Sequence, residues 1–363
     1  MLKIVHLVPT YYPYQSGGSA YSLYRLNCGL KNINKVVISE GIKKKKTNEH
    51  VAHDRDHKVF FHNRFSFSFF YRIVKESKKA DAIQLSSFFF PPNFFAFIVA
   101  KVFKKKLIIS PRGEFFEYAL SRNKKQKEFF IKIFNLINIS TIFHATSDEE
   151  IELIRKKIIL KLKLIVKIPN SYETKYYLTE TRLNQFLFLG RINPIKNIHS
   201  VFNVLKNIDD ITFLIAGEAN LPYEKEYLIF LKSEINRLGL QQKVNFIGKI
   251  HNEEKYKVIA RSRFLILPSH SENFGNVVLE SLSQGTPVIA SKGTPWSILE
   301  SYKCGFHIDF DKEEEINNSI NSLMNLRGND LKKVEQSSKN ILGKFSKHTI
   351  NEQWEKLYNT KLS

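Results

Sequence analysis

The sequence predicts an α/β fold made of two doubly wound units in tandem, each a parallel sheet covered by helices on both faces. Three observations predict it. Short β-branched and aromatic runs alternate with longer runs of helical period along the whole chain, the pattern of parallel strands joined by crossover helices. The chain has 363 residues, more than the ~250–300 at which a single core stops growing. The charge divides in two: residues 1–170 hold 31 Lys and Arg against 13 Asp and Glu, a net of +18, and residues 171–363 hold 25 against 22, a net of +3.

In the first half, strands are expected at 3–10, 58–62, 81–86, 106–110, 141–146 and 164–168. Helical periodicity marks 19–31, 69–79, 93–103, 124–137 and 148–157. The second half repeats the alternation, with strands at 185–189, 211–216, 243–247, 263–268 and 287–291. Its helices are expected at 197–207, 224–238, 253–261 and 276–284. Gly239 and Gly285 fall just past two helix ends, where a left-handed residue is wanted. The domains expected are 1–170 and 171–345, followed by a helix within 346–363 placed to pack back on the first domain. Open parallel sheets bind ligands beyond the carboxyl ends of their strands. Two such sheets facing each other would make one deep cleft.

Composition excludes several classes. Hydrophobic residues at 43% and charged residues at 25% argue against general disorder. Cys28 and Cys304 stand too far apart for a disulfide framework or a metal site, so a reducing compartment is expected. The apolar start from Ile4 to Val8 runs into Pro9 and is too short for a secretory signal. The most apolar stretch, 88–100, contains Pro91 and Pro92 and falls short of the ~20 residues that span a bilayer. A cytoplasmic protein, soluble or peripheral on the inner face of the membrane, is the expectation. Asp54-Arg55-Asp56, flanked by His53 and His57, precedes a strand and reads as a solvated loop; Asp309-Phe310-Asp311 and the Lys43–Lys46 run read the same way. No metal is expected. Neither a Gly-x-Gly-x-x-Gly after the first strand nor a phosphate loop ending in Gly-Lys-Ser/Thr is present, so no dinucleotide cofactor is expected.

The basic half asks for an anionic partner: a membrane surface, a nucleic acid or a phosphorylated substrate. A drift toward Lys and Ile would explain the total charge, but not its asymmetry. Nucleic-acid binding would interleave basic residues with exposed aromatics. Here Phe65 to Phe70 and Phe88 to Phe95 are mostly free of Lys, and Lys104-Lys105-Lys106 follows them. That order suits the headgroup boundary of an anionic membrane. The same Phe runs serve equally as core.

Two loops in the second half carry candidate chemistry. Ser269-His270-Ser271-Glu272-Asn273-Phe274-Gly275-Asn276-Val277-Val278-Leu279-Glu280 follows a strand and opens a helix. Gly275 lets a ligand approach the backbone, and the amides of Asn276 and Val277 are helix-start donors suited to phosphate. Two carboxylates beside phosphate make sense if Glu272 and Glu280 accept hydrogen bonds from hydroxyls on either side of it, as in a sugar nucleotide. The plainer alternative is a loop-capping Glu272 and an exposed helical Glu280. The second loop, Gly190-Arg191-Ile192-Asn193-Pro194-Ile195-Lys196-Asn197, again joins a strand to a helix. Arg191 and Lys196 can both reach a diphosphate, one as a planar fork and one as a point charge, or stand as solvated loop cations.

These pieces, with Phe246-Ile247-Gly248 and Gly285-Thr286-Pro287-Val288-Ile289-Ala290, resemble the donor domain of the family 4 retaining glycosyltransferases, which have the GT-B fold. The spacing of Glu272 and Glu280 is similar to that family's signature. Pro13…Gly17-Gly18 resembles its N-terminal glycine loop. Ser110-Pro111-Arg112-Gly113 and His144-Ala145-Thr146-Ser147…Glu150 resemble a branch that builds bacterial surface polysaccharides. Ile168-Pro169-Asn170 resembles the close of the first domain.

The resemblance implies two Rossmann-like domains and a nucleoside diphosphate sugar as donor. Glu280 would bind the ribose hydroxyls and Glu272 the hydroxyls of the transferred sugar. Phe274, Gly275, Asn276 and Val277 would supply backbone contacts, and Arg191 and Lys196 would grip the diphosphate. Gly17 and Gly18 would meet that diphosphate from the first domain, while Lys249 and Ile250 would border the base. Arg112 stands where many members have a histidine, so either Arg112 or His144 would fill that role. The acceptor implied is a glycan or a polyprenyl-linked sugar, in lipopolysaccharide, O-antigen, capsule or exopolysaccharide synthesis. A non-catalytic binding protein of the same fold is the alternative, and the presence of both glutamates with both cations argues against it.

Overall fold

The protein was analysed as a computed structural model, which describes residues 1–13, 18–41, 49–54, 57–136, 140–159, 163–172 and 181–360. Gly17, the Lys43–Lys46 run, Arg55 and Asp56 lie outside the described residues. The chain divides into two compact units, Met1–Ser171 together with Lys347–Ser363, and Tyr172–Ser346.

The first unit holds β1 (Leu2–Val8), β2 (Ile33–Glu40), β3 (Glu49–Asp54), β4 (His57–His62), β5 (Ala82–Leu85), β6 (Lys106–Ile109), β7 (Thr141–Ala145) and β8 (Lys163–Lys167). They form one sheet in the order β3-β4-β2-β1-β5-β6-β7-β8. Only the β3–β4 pair is antiparallel among these strands. The alternation of β1 explains its double burial. Ile4 and Val8 pack among Leu23, Leu26, Ile108 and Ile142, while Val5 and Leu7 pack on the opposite face among Phe69, Phe88, Phe97 and Phe134. Most of the Phe runs are therefore core, but Phe65 and Phe67 remain 69% and 96% exposed. The helix Lys347–Asn359 belongs to this unit. Its apolar stripe of Ile350, Trp354, Leu357 and Tyr358 joins the cluster of Ile4 and Val8, and Lys106 Nζ donates to the carbonyl of Tyr358 at 2.7 Å.

The second unit holds β9 (Gln185–Leu189), β10 (Thr212–Ala216), β11 (Val244–Gly248), β12 (Phe264–Leu267), β13 (Val288–Ser291) and β14 (Gly305–Ile308). All are parallel, in the order β11-β10-β9-β12-β13-β14. Phe186 and Phe188 of β9 enter one core cluster and Leu187 the other, all fully buried, as a strand covered on both faces requires. The strand order reverses between β9 and β12, which makes a topological switch point there; in the first unit the switch lies between β1 and β5.

Several expectations need correction. β2, β3 and β14 were absent from the sequence reading. β2 holds a short apolar run, Val36 to Ile38, flanked by Asn34 and Lys35 on one side and Ser39 and Glu40 on the other, and these polar residues, with Lys35 only 1% exposed, mask the strand signal. Asp54 is not in a loop: it ends β3 and pairs with His57 of the antiparallel β4. The helix expected at 197–207 is instead two 3₁₀ turns, Pro194–Lys196 and Ile198–Val201, and a single α turn, Phe202–Leu205. Asn197 sits between them at φ 49°, a left-handed conformation that interrupts regular α-helix.

Candidate functional site

The second unit brings its two motif loops together at the switch point. One follows β9 and the other follows β12, its neighbour in the sheet. The amide of His270 donates to the carbonyl of Ile195 at 2.8 Å, and Lys196 Nζ forms an ion pair with the carboxylate of Glu272. Those side chains are only 16% and 14% exposed. Ser269 Oγ donates to the same carboxylate oxygen at 3.0 Å, and the amide of Glu272 donates to the carbonyl of Gly293 at 3.0 Å. Glycine at 293 is required by space: a Cβ there would stand 2.2 Å from the carbonyl oxygen of His270.

Gly275 takes φ 75° and heads the helix Asn276–Leu282. A Cβ at that position would press on Leu267 and Trp296. Trp296 packs edge-on against Phe274 with centroids 5.3 Å apart, and its indole N–H donates to the Phe274 carbonyl. Phe274 is thus buried, and Asn276 and Val277 are half-buried beside it. Glu280 is buried, and Lys255, from the helix Asn252–Arg261, pairs with it at 2.7 Å. The plainer picture of an exposed Glu280 does not hold.

Arg191 is 67% exposed and reaches Glu224 at 3.5 Å. Glu224 is buried and also accepts from the Asn193 side chain at 3.1 Å and from the amides of Asn220 and Leu221 at 3.0 and 3.1 Å. Burial opposes its ionisation, but these donors and Arg191 outweigh burial and hold its carboxyl below the ordinary range. Lys249 reaches Glu218 at 3.6 Å. Ile250 turns inward and packs with Ile259 and Leu279, so its side chain is core and Lys249 alone of the two presents a side chain at the surface.

In the first unit Gly18 begins the helix Gly18–Gly29. Arg112 lies in the loop after β6 at φ 58°, with Nη1 donating to Asn170 Oδ1 at 3.0 Å. The amide of Gly113 donates to Glu150 at 2.7 Å, and the other oxygen of Glu150 accepts the amide of Thr146 at 2.8 Å. His144 sits inside the unit. Its Nδ1 meets Ser110 Oγ at 2.9 Å, its Nε2 meets the carbonyl of Ile168 at 2.7 Å, and Trp354 covers it at 4.5 Å between centroids. Burial and then the charge of Arg112 push its pKa down to about 3. Between the two candidates for the histidine role, Arg112 is half-buried, with burial lowering its pKa against the charge of Glu150, and His144 is neutral and enclosed in this structure.

Sequence reasoning missed Trp296, Lys255, Glu224 and Gly293. None lies in a motif loop, and each acts through a contact distant in sequence. Among the described residues no three His, Cys, Asp or Glu side chains converge as metal ligands, and no helix is long and apolar enough to cross a membrane.

Residues 175–341 match the family model of glycosyl transferases group 1. Over its whole length the chain is similar to HepE (Alr3699) of Anabaena, solved in complex with UDP-glucose: TM-score 0.77 and 17% identity over 99% of this chain and 100% of that one. The fold is GT-B. An uncharacterized glycosyltransferase of Methanocaldococcus jannaschii, MJ1178, is 24% identical over 98% of this chain and 96% of its own length. The lipopolysaccharide core biosynthesis glycosyltransferase LpsE of Rhizobium meliloti is 23% identical over 48% of this chain and 49% of its own. A sucrose synthase of Melioribacter roseus is 30% identical, but over 36% of this chain and only 19% of its own length. Together these matches support a GT-B glycosyltransferase.

Proposed function

We propose that this protein transfers a hexose-type sugar from a nucleoside diphosphate sugar to a glycan or lipid-linked acceptor, with retention and without a metal, in the synthesis of a cell-surface polysaccharide. The observation that carries the reading is the Lys196–Glu272 pair at the β9/β12 switch point. A ligand carrying phosphate on one side and hydroxyls on the other can separate this pair, giving Lys196 an anion and Glu272 donors. Arg191 supplies a second, solvent-facing cation on the same loop as Lys196, and Glu280, one helix turn past Asn276 in the helix after the other loop, supplies a carboxylate held by Lys255. The matches to LpsE and to HepE with UDP-glucose support the donor class and the pathway.

Transfer breaks the bond between the sugar's anomeric carbon and the diphosphate oxygen and forms one to the acceptor oxygen. The acceptor's proton passes to the departing phosphate, so no side-chain base is required. Lys196, Arg191 and the Asn276 and Val277 amides stabilise the negative charge that builds on the diphosphate, and such preorganised donors are usually the largest catalytic contribution. Glu272 orients the sugar. Arg112 is the first unit's candidate for an acceptor phosphate.

The proposed site of action is the cytoplasmic face of an anionic membrane. Phe67 and Tyr71 stand 96% and 61% exposed on the helix Phe67–Lys78, two turns and one turn before the exposed Lys75. Vesicle flotation tests this: salt-sensitive binding to anionic vesicles is expected, and its absence rejects membrane docking. A thermal-shift panel of nucleoside diphosphate sugars tests the donor reading, because a bound donor stabilises by mass action. Turnover with the stabilising donor, lost in Glu272→Ala, is expected; binding without turnover would favour a non-catalytic protein.

A further inference from the structure

The loops proposed for transfer follow the ends of strands. At the opposite edge of the first unit's sheet, where β1, β2 and β4 begin, lies a cavity of about 470 Å³. Its walls carry Lys3, Lys35, Lys58, Arg72 and Lys75 against one carboxylate, Glu76. Like charges gathered this closely repel, and the single carboxylate offsets only part of their charge.

The cations are held differently. Lys35 Nζ is committed to the carbonyls of Asn27 and Leu30, so it adds charge without offering a contact. Glu76 holds Lys3 Nζ at 2.8 Å and Arg72 Nη1 at 3.3 Å, which fixes both heads. The Arg72 guanidinium also lies over the Phe60 ring at 4.1 Å. Lys58 and Lys75 are exposed and form no ion pair among the described residues. Asp81 stands near the same edge, where its carboxylate accepts the amide of Lys3 at 2.7 Å. Two cationic heads held by Glu76 and two exposed ones, of which Lys75 lies over the Tyr71 ring at 5.6 Å, match a compact dianion with several acceptor oxygens, and a planar guanidinium favours phosphate geometry.

We infer that this cavity binds a phosphate monoester or diphosphate group, held by Lys3, Lys58, Arg72 and Lys75. The group comes from a phospholipid head or from a soluble phosphate ester. The inference rests on no part of the donor assignment.

Inorganic pyrophosphate titrated into the full chain by calorimetry tests it in an Arg191→Ala/Lys196→Ala background, which removes the cations proposed for the donor diphosphate. Saturable binding is expected there, weakened at least ~tenfold by adding Lys58→Ser/Lys75→Ser. Both lysines are exposed, so the substitutions spare the fold. Lys78→Ser/Lys79→Ser removes two exposed charges from the same helix end and is expected to leave binding unchanged. No saturable binding, equal binding with and without Lys58 and Lys75, or an equal loss from the Lys78/Lys79 control overturns the inference. If the Lys58/Lys75 variant binds pyrophosphate only when Arg191 and Lys196 are intact, the cavity is confirmed and the donor site is separately supported. Vesicles of phosphatidylcholine with phosphatidic acid decide the source. Capture that is lost in Lys58→Ser, a cavity residue outside the helix Phe67–Lys78, assigns a lipid head, and pyrophosphate binding with vesicle capture absent or unchanged by Lys58→Ser assigns a soluble ester.

Discussion

The enclosed histidines of the first unit give a stability prediction with a defined sign. His6 is fully buried and His144 is 2% exposed. The pKa of each is lowered from 6.5 to about 3. For His6 burial leads, followed by the charges of His57, Lys35 and Arg112; for His144 burial leads, followed by Arg112. Both are neutral in the folded state and ordinary in the unfolded chain. As pH falls below about 6.5 the unfolded chain takes up protons that the folded unit refuses, so stability is full above that pH and lost below it. Between about pH 6 and pH 5 the loss is about 1 kcal/mol per histidine. Glu114 and Glu150 are raised by burial and act in the opposite sense in the same window, so the variants and not the raw curve isolate the effect. The chain has two tryptophans, of which Trp354 lies in this unit, so urea unfolding read by its fluorescence in a Trp296→Phe background follows the right unit. His6→Leu/His144→Gln is expected to flatten the pH dependence by about 2 kcal/mol over that interval, whatever it does to stability at neutral pH. An unchanged slope would refute the reasoning.

Gly293→Ala forces its new methyl group to within 2.2 Å of the His270 carbonyl, so about 1–3 kcal/mol of destabilisation is expected in urea unfolding, together with weaker donor binding. Trp354→Ala empties the cover over His144 and should cost the first unit about 3–5 kcal/mol, measured by thermal melting. Lys255→Ala leaves the buried Glu280 without its 2.7 Å partner; a loss of about 1–3 kcal/mol is expected, with Lys255→Arg retaining most of the stability.

The sequence made the fold class legible because fully buried strands such as Phe186-Leu187-Phe188 are apolar without interruption, while the helices between them keep their period. Strands failed to register where a charge sits inside, as Lys35 does in β2, or where the strand is short and mixed, as in β14. The two motif loops were legible because glycine, glutamate and basic residues cluster locally there, and the structure brings Lys196 and Glu272 into contact. Their supports were not. Trp296 reaches Phe274 across 22 residues and Lys255 reaches Glu280 across 25, and no local pattern encodes such pairings. Ile250 and His144 show the reverse limit: a residue can stand in a motif and still turn inward, because burial is decided by elements elsewhere, in the case of His144 by the helix Lys347–Asn359.

The most direct measurement is calorimetric titration of the donor that the thermal-shift panel selects, into the parent chain and into Lys196→Ala and Glu272→Gln. If the pair opens to receive diphosphate on one side and sugar hydroxyls on the other, each substitution weakens binding by roughly tenfold or more, and the free diphosphate nucleotide loses affinity only in Lys196→Ala. Parent-like affinity in both variants would contradict it.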